Sequence, residues 1–255
     1  MKRKTLWSIL ILILLTFITA CGGNDEEGLQ IDDIVALPEP RLEAQREDLE
    51  YAYFEVEFDD LIPENLDVSL EQCWNGMGMD SQGRIYIGFT SFRDDGQSED
   101  FVVFRYTPAT EQREYLGSFQ DVAASFGNLE EGESIPKGHT AFIEVNGVMY
   151  MGAQGFHDFK GKIDDLYKFR GGHLFGYDTI NEKWIDFSAE MEGGVIIEHQ
   201  GIVGLNILSE QELLVGIAHP MSDLVLYDYN TNTVKEVIPG IPWKLGNPLS
   251  REVIV

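Results

Sequence analysis

Five histidines, His139, His157, His173, His199 and His219, are all the imidazoles of this 255-residue chain. Imidazole titrates near neutrality, so it gives or takes a proton without much tuning. When neutral it is a common ligand for zinc and related ions, and it also hydrogen-bonds sugar hydroxyls. None of the five falls in an HExxH or CxxC pattern. A divalent metal is therefore a chemical option without a motif, and no other cofactor is indicated. Between His157 and His173 the chain gathers Lys160, Lys162, Tyr167, Lys168 and Arg170, a local positive spot in an acidic sequence. It is suited to a substrate carboxylate or sulfate; the plainer reading is a solvated loop whose cations offset Asp158, Asp164 and Asp165.

Such scattered residues need a scaffold to share a site. Gly88, Gly152 and Gly216 each close a short apolar run, at intervals of 64 residues (88 to 152, 152 to 216). A fixed period of this size marks a repeat architecture. Each unit reads as a four-stranded antiparallel meander whose third strand ends in Tyr106, Tyr177 or Tyr227, with a hairpin signal at Asn146-Gly147 in the second. Repeated four-stranded meanders are blades of a β-propeller. The expected fold is all-β, with blades over about 70–120, 137–188 and 200–240 and another beginning near 249. Kelch and WD40 signatures are absent, and the class rests on the meander and its period. Three blades are fewer than the four that propellers typically need to close. Arg251 to Val255 reads as a strand cut short, Tyr51 to Phe58 as a leading strand, and a fourth glycine is expected near 280 (216 plus 64). The expectation is a partial propeller over 51–255, truncated at its C-terminus. In such a blade the loops from strand two to three and from strand four to the next strand one share one face. His139, at the start of a first strand, and His157, His173, His199 and His219 all fall there.

The N-terminus is read separately. Lys2, Arg3 and Lys4 precede an apolar run from Leu6 to Ile18, too short for a confident membrane span, and then Ile18-Thr19-Ala20-Cys21-Gly22. This resembles a bacterial lipobox, which implies a signal peptide over 1–20, lipidation of Cys21 and anchoring in a bilayer of the bacterial envelope. Position 22 is not Asp, so in a Gram-negative cell the outer membrane or cell surface is the expected location. Residues 21–50 read as an acidic flexible tether. Cys73 is then a lone thiol. The formal charge is −26, or −29 once the three N-terminal cations are removed (15 basic against 44 acidic residues). With no basic patch to offset it, this balance excludes nucleic acid as a partner.

Lys137-Gly138-His139-Thr140-Ala141-Phe142, Asn146-Gly147-Val148-Met149-Tyr150 with His157, and Phe169-Arg170-Gly171-Gly172-His173-Leu174-Phe175-Gly176-Tyr177-Asp178 resemble the central segment of propeller polysaccharide lyases of the ulvan lyase type. The likeness covers about 137–230. It implies a seven-bladed parent and β-elimination on a sulfated, uronate-containing polymer. His139 and His157 would divide the roles of base and carboxylate neutraliser, with Tyr167 and Arg170 completing the catalytic set. His173, His199, His219 and Lys160 would line the binding face. The rival reading is a non-catalytic propeller that presents the same face to a glycan or a protein. Fold alone does not separate the two.

Overall fold

A computed structural model describes residues 55–64, 66, 69–92, 98–157 and 169–240. The signal and tether, residues 51–54 of the leading strand expected over Tyr51–Phe58, the loop over 158–168 and the segment from 241 onward lie outside the described residues; the described part of that expected strand, 55–58, is not in a strand. The strands form three antiparallel sheets. The first contains β1 (Ser69–Gln72), β2 (Met77–Met79), β3 (Ile85–Phe92), β4 (Ser98–Thr107) and β5 (Gln112–Ser118). The second contains β6 (Glu133–Lys137), β7 (Ile143–Val145), β8 (Val148–His157), β9 (Gly171–Asp178), β10 (Lys183–Asp186) and the short β11 (Ile197–Glu198). The third is the meander β12 (Gly201–Leu208), β13 (Leu213–His219), β14 (Leu224–Asp228) and β15 (Thr233–Ile238). Among the described residues one α-helix, α1 (Phe119–Ser125), joins the first two sheets, and no helix is long and apolar enough to cross a membrane.

Each sheet is four strands wide, and in the first two the leading position is shared by two short strands. β1 pairs with the far half of β3 and β2 with its near half. β6 and β7 divide β8 in the same way. His139 therefore lies in the break between β6 and β7, not at the start of a strand as its neighbours' apolar character suggests.

Successive side chains on a strand point to opposite faces, and here that alternation joins the sheets. Met149, Met151 and Ala153 of β8 pack with Tyr86, Phe101 and Val103 of the first sheet and with Phe119 and Val122 of α1. Tyr150 and Leu174, on the opposite face, pack with Ile202, Leu214, Val225 and Tyr227 of the third. The second sheet is thus covered on both sides. Phe119 ties α1 into the first of these cores, its ring 4.6 Å from that of Phe175.

The turns repeat as well. Tyr106, Tyr177 and Tyr227 are each followed, five residues on, by a residue with positive φ: Glu111 (56°), Glu182 (54°) and Asn232 (54°). At the β7–β8 hairpin Asn146 and Gly147 have φ of 51° and 79°, the two positive values of a type I′ turn.

One buried acid belongs to this framework. Asp100 Oδ1 accepts from the backbone N–H of Phe101 at 2.7 Å and of Gln120, in the first turn of α1, at 3.1 Å. Burial pushes its carboxyl up to about 7, against hydrogen bonds from Ser118 and these amides. The folded state then holds this proton where the unfolded chain releases it. Its contribution to stability is full below the ordinary value of 3.8 and declines as the pH rises to about 7. Asp100→Asn keeps the acceptor and removes the titration. Its stability relative to wild type, measured by urea midpoints, is expected to rise between pH 4.5 and 8. A difference that stays constant with pH would refute the assignment.

Candidate functional site

β8 ends at His157 opposite Glu133, where β6 begins, and β13 ends at His219 opposite Gly201, where β12 begins. His173, the third residue of β9, pairs with Ala153. His199 precedes β12 by two residues. His157, His199 and His219 thus sit at strand ends, while His139, in the break between β6 and β7, and His173, opposite Ala153, lie further along β8, and in the described residues the side chains enter different surroundings. Those of His157, Lys160 and Tyr167 lie outside the description.

His173 is fully buried and sits at the centre of a polar network. Its Nε2 is 3.2 Å from Glu133 Oε1, and its ring stacks on Phe175 with 4° between the planes. Arg170 closes the network. Nη1 donates to Asn128 Oδ1 at 2.8 Å and Nη2 to Glu133 Oε2 at 2.8 Å and to the Asn128 carbonyl at 2.8 Å. Asn128 Nδ2 in turn donates to Asp186 Oδ2 at 2.8 Å and to the Gly194 carbonyl at 2.9 Å. Burial works against the Glu133 charge, but the hydrogen bonds from His173 and the Glu130 N–H, with the Arg170 cation, hold its carboxyl below the usual range. Burial raises Asp186, against the bond from Asn128. With these protein acceptors in place, the Arg170 guanidinium clamps Glu133 and Asn128.

His139 is elsewhere. It is buried, with its ring centroid 5.5 Å from that of Trp74. Trp74 is 44% exposed, and Lys137 Nζ lies 5.4 Å from the centre of its indole. A cation within about 6 Å of an indole face is attracted by the ring quadrupole. This places an accessible aromatic surface beside a cation and an imidazole, a combination that suits a sugar ring carrying an anionic group. His219 Nδ1 is 3.5 Å from the buried amide of Gln154, and His199 Nδ1 is 3.0 Å from the Phe169 carbonyl. Among the described residues no group of three or more His, Cys, Asp or Glu side chains is placed to hold a metal ion.

The structure therefore brings Arg170 and His173 together and sets His139 apart from them. Sequence reasoning missed Asn128, Glu133 and Asp186, which complete the buried network, and Trp74 and Lys137, which accompany His139. Lys137 stands two residues before His139, so that pair was open to notice. Glu133 is forty residues from His173, and only strand pairing brings them together.

Comparison with known proteins adds little to this geometry. No family model matches the chain, and no curated protein matches it. Among solved structures it is similar to a luciferin-regenerating enzyme, with 12% identity and a TM-score of 0.36 over 69% of this chain and 62% of that one. It is also similar to the extracellular domain of a one-component system from B. thetaiotaomicron, with 11% identity and a TM-score of 0.24 over 67% and 28%. The chain spans less than two thirds of the length of either protein.

Proposed function

We propose that this chain is a lipid-anchored envelope protein, held through Cys21 at the outer membrane or cell surface, whose β-propeller binds an acidic polysaccharide. The lipobox-like run before Cys21 supports the anchor. Three four-stranded meanders, packed face to face in chain order, support reading the sheets as blades. The observation that carries the ligand class is the exposed Trp74 beside Lys137 and His139. The indole supplies a face for a pyranose ring, and Lys137 a counter-charge for a uronate or sulfate. A local cation of this kind is what a chain with net charge −26 needs in order to approach a polyanion.

Binding is favoured over β-elimination by the placement of the polar groups. An eliminating site needs a base and a carboxylate-neutralising donor facing one substrate. Arg170 is instead engaged with Glu133 and Asn128, and His139 is buried beside Trp74.

The test is calorimetric titration of the full chain with a uronate-bearing polysaccharide such as ulvan. Trp74→Ala is expected to weaken binding about tenfold, or roughly 1.4 kcal/mol. Lys137→Ala should weaken it less and flatten its salt dependence. Equal affinity in wild type and Trp74→Ala would sink the platform. Absorbance from unsaturated uronates during the titration would move the function to a lyase.

A further inference from the structure

The chain's nine sulfur-bearing residues (seven Met and two Cys) are unevenly placed. Three stand within the seven-residue stretch Cys73-Trp74-Asn75-Gly76-Met77-Gly78-Met79. Met77 and Met79 are 55% and 64% exposed, and Cys73 is exposed. The same Met-x-Met spacing occurs in β8, where Met149 and Met151 are both fully buried in the core between the first two sheets. The pair in β8 is explained by packing, and the pair in β2 is not.

The local backbone accounts for the exposure. β2 and the residue before it approach the 138–142 segment of the second sheet through glycines. A Cβ at Gly76 would stand 2.9 Å from the Gly138 carbonyl, and one at Gly78 would run into the Phe142 backbone. The Met77 carbonyl accepts from the Phe142 N–H at 3.0 Å, which fixes the strand at that seam. The glycine side of β2 admits no side chain, so its methionines project from the opposite face. At i and i+2 on one strand they are about 7 Å apart at Cα, within reach of a common ion for two flexible thioethers. Cys73 folds back toward the start of β2, its Sγ 3.8 Å from the Gly76 carbonyl. Two exposed thioether residues thus share one strand face, and the Cys73 thiol lies at the start of that strand.

We propose that Cys73, Met77 and Met79 form a site for a soft monovalent metal ion, of the copper(I) class. Thiolate and thioether donors select such ions over the hard and borderline cations that carboxylate and imidazole favour. Thiolate, not thiol, is the ligating form, so binding would deprotonate Cys73 and one proton leaves as the metal enters. The site is independent of the polysaccharide reading and needs neither Lys137 nor His139.

Silver(I), a redox-inert probe of the same class, tests this by calorimetry on the reduced full chain, with competition against a copper(I)-specific chelator under anaerobic conditions. One ion per chain is expected. Met77→Leu/Met79→Leu keeps the apolar volume and removes both thioether donors; it should weaken binding at least tenfold. Cys73→Ser should weaken binding and abolish the accompanying proton release, and Cys21→Ala should change neither. Undiminished binding in Met77→Leu/Met79→Leu, or loss of binding in Cys21→Ala, would overturn the site. If no ion binds wild type, and Met77→Ser/Met79→Ser lowers thermal stability where the leucine pair does not, these methionines are apolar packing and the proposal fails.

Discussion

Glu133→Ala is expected to destabilise the protein by about 3–5 kcal/mol at neutral pH, the usual result of removing one partner of a buried ion pair. The Glu133 side chain is 1% exposed and that of Arg170 only 15%. Deleting the carboxylate leaves the guanidinium facing Asn128 and backbone carbonyls with only the exposed Glu130, 3.9 Å from Nε, as counter-charge, and it removes the acceptor for His173 Nε2. The damage spreads because this network links the segment after α1, the start of β6, the start of β9 and the Gly193–Gly194 turn. At roughly 2–4 °C per kcal/mol for a domain of this size, the melting temperature should fall by about 6–20 °C. Glu133→Gln preserves shape and should cost less than Ala. The pH dependence identifies the cause. The Glu133 carboxyl is held below its ordinary 4.5, so its contribution is present above that value and lost as the pH falls through the depressed one. The gap between wild type and Glu133→Gln should therefore narrow in acid. A gap that is constant with pH would mean that packing, not charge, carries the effect.

The sequence and the structure agree most where local rules suffice. The strands of the third sheet are legible as apolar runs bounded by turn residues. The Asn146-Gly147 hairpin is legible because both positions require positive φ, which those two residues tolerate. The tyrosines that end the third strands are legible as a recurring residue. Helix α1 is not read, although Ser118 caps it by accepting from the Asp121 N–H at 3.2 Å, and Phe119, Val122 and Ala123 form its buried stripe. Seven residues are too few for a helical period to stand out between strands. The buried network is invisible for another reason. Glu133, Arg170 and Asp186 are charged residues that composition assigns to solvent, and their burial follows from pairing between segments up to 58 residues apart. The histidines reveal the limit of placing residues by loop. His173, within β9, turns into a core; His139, in the break between β6 and β7, lies against an indole; and His219, at the end of β13, turns toward Gln154.

Gly152→Ala and Gly88→Ala are expected to cost up to about 3 kcal/mol each, while Gly216→Ala costs almost nothing, although the three glycines share one spacing in sequence. The reason is register. Tyr106, Tyr177 and Tyr227 pair with Ile85, Met149 and Leu214. Those partners are 64 and then 65 residues apart, whereas the glycines are 64 apart both times. One residue of slip turns a strand position to the other face. Gly88 and Gly152, three residues after Ile85 and Met149, face the following sheet; the position matching them in the third sheet is Ile217. Gly216 faces back toward the second sheet, beside a small apolar cavity lined by Leu174, Ile202, Leu205 and Tyr227 among others. A Cβ at Gly152 would stand 2.6 Å from Ile202 Cγ2 and 2.8 Å from Thr140 Cγ2, and one at Gly88 would enter the Phe101 ring. Overpacking of this kind costs about 1–3 kcal/mol. At Gly216 the nearest atom is 3.4 Å away, an ordinary contact. Urea midpoints of the three variants separate the readings. Equal losses at all three would show that the glycines are equivalent and the register wrong. A neutral Gly216→Ala would establish that the first interval is a structural repeat and that the second is offset from it by one residue.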